Sequence, residues 1–298
     1  LEIGLVAVDS KIPNLALMKL SAYHKKLGDE VKILDPLIDK PDLIYASKVF
    51  SSTPDYEYYP VDVPIIKGGT GYDIKEKLSD EIESMFPDYS IFDHNIRKRN
   101  GQIIGNYALG FTSRGCSRQC PFCLVPEKEG DIKAVADIYD FWNNQSHIML
   151  LDNNLTALPE RFELTVNQLI KEKIKTDFSQ GLDIRFITAE MAQLLAKVKI
   201  WKQIHFAWDN MQDEEAVRRG IEVLNKNGVK SWKLSFYVLI GFNTTPEEDS
   251  YRVEVLRGLG VDPFVMPYNR KELYQRRFAR YVNHKAIFKS TAWDKYTG

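Results

Sequence analysis

Short apolar runs alternate with longer amphipathic stretches along most of this chain. From residue 107 to 268 the alternation is regular. Strand-like runs fall at 107–112, 147–151, 176–180, 203–208, 233–240 and 263–267, and helical patterns at 132–142, 159–173, 188–197, 213–227 and 246–259. Strands that alternate with helices of this length predict a parallel sheet in an α/β fold. Turn chemistry supports the register. Thr245-Pro246-Glu247-Glu248 is a capping box with proline at the first helical position, whereas Thr188 has Met191, not an acid, three residues on and predicts a plain cap. Asn227-Gly228 and Leu259-Gly260 are helix stops.

Residues 1–90 carry a shorter version of the same pattern. Strands are expected at 3–8, 31–34, 43–49 and 63–66, a helix at 15–27 stopped by Gly28, and a second helix at 74–85. This predicts a small Rossmann-like, doubly wound domain. Residues 91–106 read as a linker, 107–268 as the main domain, and 269–298 as a basic and aromatic C-terminal segment.

The chain has 298 residues and three cysteines, all within Cys116-Ser117-Arg118-Gln119-Cys120-Pro121-Phe122-Cys123. Such a loop can set three thiolates on three irons of one cubane face and leave the fourth iron without a protein ligand. A structural zinc site wants four ligands, and His94 and His147 stand more than twenty residues from the cysteines without paired spacing. An odd cysteine count in a long chain with no secretory segment speaks against a disulfide framework.

The stretch from Gly110 to Pro126, with aromatic Phe122 before the last cysteine, resembles the radical S-adenosylmethionine (SAM) superfamily. The resemblance implies a 4Fe–4S cluster on Cys116, Cys120 and Cys123, with the SAM amino and carboxylate groups on the open iron. It also implies a partial (βα)6 TIM-like barrel whose reactive end is the carboxyl end of its strands, and an external electron donor such as a flavodoxin or ferredoxin. Reductive cleavage of SAM would then give a 5′-deoxyadenosyl radical that abstracts hydrogen from a substrate. The substrate is not legible.

By the same resemblance, polar residues at the strand ends are SAM-binding candidates. Asp152, Asn153 and Asn154 stand where the family often has Gly-Gly-Glu, and an Asx turn is the plainer reading. Gln180, Asp183 and Arg185 follow the third strand, with Asp183 facing ribose or substrate and Arg185 the SAM carboxylate, or the two forming a surface ion pair. Trp208 and Asp209 end the fourth strand, Trp208 equally a core residue, while His205 within it reads as a satisfied sheet residue. Ile240 and Gly241 end the fifth, where the family packs an apolar residue on adenine. Phe122 completes the cofactor set. Tyr268, Asn269 and Arg270 form a substrate-side patch.

The N-terminal pattern is similar to the cobalamin-binding domains that precede many radical SAM barrels. Where their histidine-ligated members have Asp-x-His-x-x-Gly, this chain has Asp9-Ser10-Lys11-Ile12-Pro13-Asn14. A lysine ammonium has no lone pair for cobalt, so cobalamin is not the favoured cofactor. Gly68-Gly69-Thr70-Gly71 lacks phosphate-loop spacing.

Charge adds little. Forty basic residues against 41 acidic leave no global field for nucleic acid or membrane, and no apolar run approaches a spanning length, which points to the cytoplasm. The exception is 270–289, where Arg270, Lys271, Arg276, Arg277, Arg280, Lys285 and Lys289 face one acid, Glu272, among aromatics. Those residues could bind RNA, or Leu273, Phe278 and Tyr281 could form the inner stripe of a closing helix.

With all three cysteines assigned to one cluster, none remains for the auxiliary cluster of methylthiotransferases. The expectation is hydrogen abstraction by a radical SAM enzyme. Its rivals are a cobalamin-dependent radical SAM methyltransferase and an RNA-binding module with a structural cluster.

Overall fold

Most of the expected strands and helices form, but the strand expected at 107–112 runs Ile103–Gly110 and pairs antiparallel with Asn95–Arg97, within residues expected as a linker. The computed structural model describes residues 1–298 and divides into two units: Leu1–Gly110 with Glu127–Gly130 and Ala136–His147, and Phe111–Pro126 with Asp131–Val135 and Ile148–Gly298. The fold is mixed α/β with parallel sheets. No helix is long and apolar enough to cross a membrane.

In the first unit, strands Glu30–Ile33, Glu2–Ala7, Leu43–Ser47 and Ile65–Gly68 make a parallel sheet in that spatial order. Helix Leu15–Lys26 starts at Asn14, whose side chain accepts from the Leu17 N–H at 3.2 Å. It lays Leu17 and Leu20 on Ile3 and Leu5. The helix expected at 74–85 shrinks to Asp80–Glu83, capped by Ser79. The reason is that only Leu78 and Ile82 from this stretch reach the core, so no apolar stripe stabilises the turns before Ser79.

In the second unit, Ile204–Ala207, Leu234–Ile240 and Asp262–Pro267 form a three-stranded parallel sheet, and Lys175–Phe178 pairs with Lys199–Ile200. Helices Pro159–Glu172, Ala189–Lys197, Glu214–Lys226 and Pro246–Gly258 come within about two residues of the periodicity. The Thr245 capping box is complete, with Glu248 N–H on Thr245 Oγ1 at 3.2 Å and Thr245 N–H on Glu248 Oε2 at 2.9 Å. Residues 132–142, expected as one helix, contain instead the strand Lys133–Ala134 and the single turn Ile138–Asp140. Asp137 explains the break, because its side chain and that of Asp140 cap a turn only three residues long.

Along the three-stranded sheet, buried apolar residues gather on one face, although Ser235 on the other is also buried. Ile204, Phe206, Phe236, Val238, Ile240 and Val265 are fully buried or nearly so, while Ala207, Phe264 and Met266 on the opposite face are exposed. The C-terminal segment folds onto this unit. Phe278, Tyr281 and Phe288 are buried, and Trp293 lies edge-on to Phe278 at 5.1 Å. Arg257 stacks on Phe288 at 3.8 Å. Leu273 departs from the expected inner stripe and is exposed, because it is the first residue of its helix, Leu273–Asn283. Phe278, Tyr281 and Phe288 are thus core residues and have no free faces on which bases could stack.

Candidate functional site

The cysteine loop is built by hydrogen bonds that reach sulfur and hold its base. Cys123 N–H donates to the Cys120 carbonyl at 2.9 Å, Arg118 N–H to Cys116 Sγ at 3.4 Å and Val125 N–H to Cys123 Sγ at 3.5 Å. All three thiols are free and partly exposed. Burial raises the Cys123 pKa, with Cys120 and Cys116 adding to it, so the three sulfurs already sense one another.

Below the loop, Asp152, Asn153 and Asn154 act as a buttress, residue by residue. The Asp152 carboxylate is buried and accepts four bonds, from the backbone N–H and the hydroxyl of both Thr112 and Ser113, at 2.5 to 3.1 Å. Burial outweighs these donors and pushes its pKa up. Asn153 Oδ1 accepts from Gly115 N–H at 3.1 Å. Asn154 Nδ2 donates to Cys116 Sγ at 3.4 Å and to Asp183 Oδ2 at 3.5 Å, while its Oδ1 accepts from Thr156. Asp152 therefore fixes the strand that enters the loop and Asn154 reaches the first sulfur. Asp152→Ala is expected to strand those donors and destabilise the fold by about 3 kcal/mol. A urea melt checks this, and an unchanged midpoint would refute the buttress.

Asp183 and Arg185 form a tight pair instead of two separate contacts. Arg185 Nε and Nη2 grip the Asp183 carboxylate at 2.7 and 2.8 Å, and Nη1 donates to Asp213 at 2.9 Å. Burial works against the Arg185 charge, yet Asp183 and Asp213 hold it protonated beyond the ordinary range. With two carboxylates on it, this guanidinium is a poor partner for a third. Asp213 is absent from the sequence expectation because it reads as an ordinary acid opening a helix.

The remaining candidates divide. Gln180 is exposed, and Asp209 is half-buried with Oδ1 on the Leu239 N–H at 3.1 Å, its pKa raised by burial. Trp208 and Ile240 are fully buried. Trp208 is the core residue of the plainer reading, its indole donating to the Asn210 carbonyl at 2.7 Å, and Ile240 ends its strand in the core. Gly241 has φ +74°, and a Cβ there would lie 2.0 Å from the Gln275 amide. Phe122, Phe242 and Tyr268 form an aromatic chain with ring centroids 5.3 and 4.8 Å apart. Asn269 Oδ1 accepts from Lys271 N–H at 3.0 Å, a turn contact, and Arg270 is exposed.

The chain is similar to ribosomal protein uS12 methylthiotransferases RimO. That of Nitrosomonas europaea is 27% identical over 114 residues, 38% of this chain and 24% of the relative. That of Colwellia psychrerythraea is 27% identical over 105 residues, covering 35% and 22%, and that of Proteus mirabilis 24% over 112 residues, covering 38% and 25%. This likeness supports a radical SAM enzyme. It does so at low identity, and the match covers about a quarter of the relatives' length. No family model matches the chain.

The loop's donor set fits the iron–sulfur cluster such enzymes carry. Three soft thiols lie on one short loop, with N–H groups already directed at two of the sulfurs, the pattern that tunes a cluster's potential. No three His, Cys, Asp or Glu side chains gather as ligands of a single ion, and thiolates on separate irons need not.

The N-terminal loop does not fit a histidine-ligated cobalamin. Both Asp9 carboxylate oxygens accept backbone N–H bonds, from Val49 and Phe50 at 2.8 Å. Asn14 spends its amide on Ser10 and Ser47 at 3.0 and 2.9 Å, and Lys11 is exposed. Glycine at 69 serves packing, since φ is +94° and a Cβ would meet the Lys48 carbonyl at 2.5 Å.

Proposed function

We propose that this chain is a cytoplasmic radical SAM enzyme in which Cys116, Cys120 and Cys123 hold a 4Fe–4S cluster with one open iron. When bound and reduced by a flavodoxin- or ferredoxin-like donor, that cluster supplies reductive cleavage of SAM to methionine and a hydrogen-abstracting 5′-deoxyadenosyl radical. The observation that carries this reading is the buttress beneath the loop. Asp152 fixes Thr112 and Ser113, Asn153 fixes Gly115, and Asn154 reaches Cys116. A loop that must keep three ligands aligned and one corner clear needs such support.

In this reading residues 107–268 form a partial (βα)6 barrel and the site lies at the carboxyl end of its strands. Asn153, Asn154, Gln180, Asp183 and Asp209 offer the polar groups for SAM, and Phe122 packs beside the cluster. Arg185 orients Asp183 and Asp213 instead of meeting the SAM carboxylate.

Methylthio transfer, the activity in the relatives' name, also needs a sulfur source, and these 298 residues have no cysteine beyond the three. The proposal therefore stops at the hydrogen-abstraction step. Electron paramagnetic resonance of the reduced, reconstituted protein tests the open iron. Adding SAM is expected to shift the g-values, and an unchanged spectrum would refute it.

A further inference from the structure

In the second unit, strands of two different sheets bring together a buried ionisable pair whose facing atoms have no hydrogen-bond partner. Asp177, on Lys175–Phe178, and His205, on Ile204–Ala207, approach with Oδ1 and Nδ1 3.8 Å apart, too far for a hydrogen bond. Neither atom has any hydrogen-bond partner, although both are buried and the Asp177 side chain is only 7% exposed. Buried polar atoms are nearly always satisfied, so two facing orphans mark a place where something else binds. His205 stacks on Tyr237 at 5.2 Å with planes 9° apart, and Tyr237 meets Phe264 edge-on at 5.9 Å. Phe264 and Met266 are each 44% exposed. An apolar wall thus leads to a polar floor.

We propose that Asp177 and His205 recognise a hydroxyl group of the substrate, carried on a small aromatic or apolar body that lies against Phe264 and Met266. This rests on the enzyme reading only in taking the bound molecule to be the substrate. One oxygen can donate to Asp177 Oδ1 while accepting from His205 Nδ1–H, which the 3.8 Å gap allows and which neither a cation nor a carboxylate can do. Charge argues the same way. Burial raises the Asp177 pKa and lowers that of His205, and Lys202 acts on both while Lys285 acts on His205. The floor therefore favours a neutral hydrogen-bonding group over an ion.

The test is a calorimetric titration of the full chain with p-cresol and with its methyl ether, 4-methylanisole. The phenol is expected to bind about tenfold more tightly, the value of one well-made hydrogen bond. Asp177→Leu should erase that preference while keeping or raising the melting temperature, because the buried Oδ1 of the carboxylate has no hydrogen-bond partner in the folded chain. Phe264→Ala should weaken both probes equally. Equal affinity of the wild type for the two probes, no binding of either, a preference retained in Asp177→Leu, or a destabilised Asp177→Leu would each overturn the proposal. These readouts need neither cluster nor SAM. Failure here with SAM cleavage intact removes the substrate assignment alone.

Discussion

Replacing Cys120 by alanine will leave the protein folded and remove its cluster. The thiol is partly exposed and its backbone carbonyl, not its side chain, accepts the Cys123 N–H, so the loop's own hydrogen bonds survive. Two thiolates cannot retain a cubane that three barely enclose. After anaerobic reconstitution the variant is expected to hold less than about a tenth of wild-type iron and sulfide, a loss of affinity of more than tenfold. Its far-ultraviolet circular dichroism should not change. Cys116→Ala should do the same and also orphan the Asn154 amide that donates to its sulfur. A Cys120→Ala protein that keeps full iron and the charge-transfer absorbance would mean the metal is held elsewhere.

The second large effect belongs to Arg252. Its guanidinium, on helix Pro246–Gly258, is wholly buried and donates to the carbonyls of Trp208 and Leu239 at 2.6 and 2.8 Å and to Asp249 at 2.7 Å. It thereby ties the carboxyl ends of two neighbouring strands, where Asp209 and Gly241 lie. Arg252→Met is expected to destabilise the fold by about 3–5 kcal/mol, because the buried Asp249 loses its cationic partner and two strand-end carbonyls lose their donor. The double variant Arg252→Met with Asp249→Leu should recover much of that loss. Chemical denaturation of the four proteins of this cycle measures it. A single-variant loss below about 1 kcal/mol would refute the clamp.

Arg252 also shows where sequence reading stops. Within Pro246-Glu247-Glu248-Asp249-Ser250-Tyr251-Arg252 it reads as one more charge on a solvated helix, and only the three-dimensional placement of the strand ends gives it its role. Asp213 was hidden for the same reason. Asp177 and His205 lie on separate strands, and no local pattern announces that they face each other. His205 was expected to be satisfied, and its Nδ1 has no hydrogen-bond partner.

Legible features were those with short-range causes. The cysteine spacing and the Thr245 capping box both act over a few residues. The 74–85 helix failed because a fair local propensity had no apolar stripe to bury before Ser79, and the 132–142 helix because Asp137 and Asp140 cap a single turn.

The central claim is tested most directly by incubating reduced, cluster-loaded protein with SAM and separating the products by liquid chromatography. The account predicts 5′-deoxyadenosine and methionine in equal amounts from the wild type and neither from Cys120→Ala. A fully loaded, reduced wild-type protein that leaves SAM intact, or a product that persists in the variant, would contradict it.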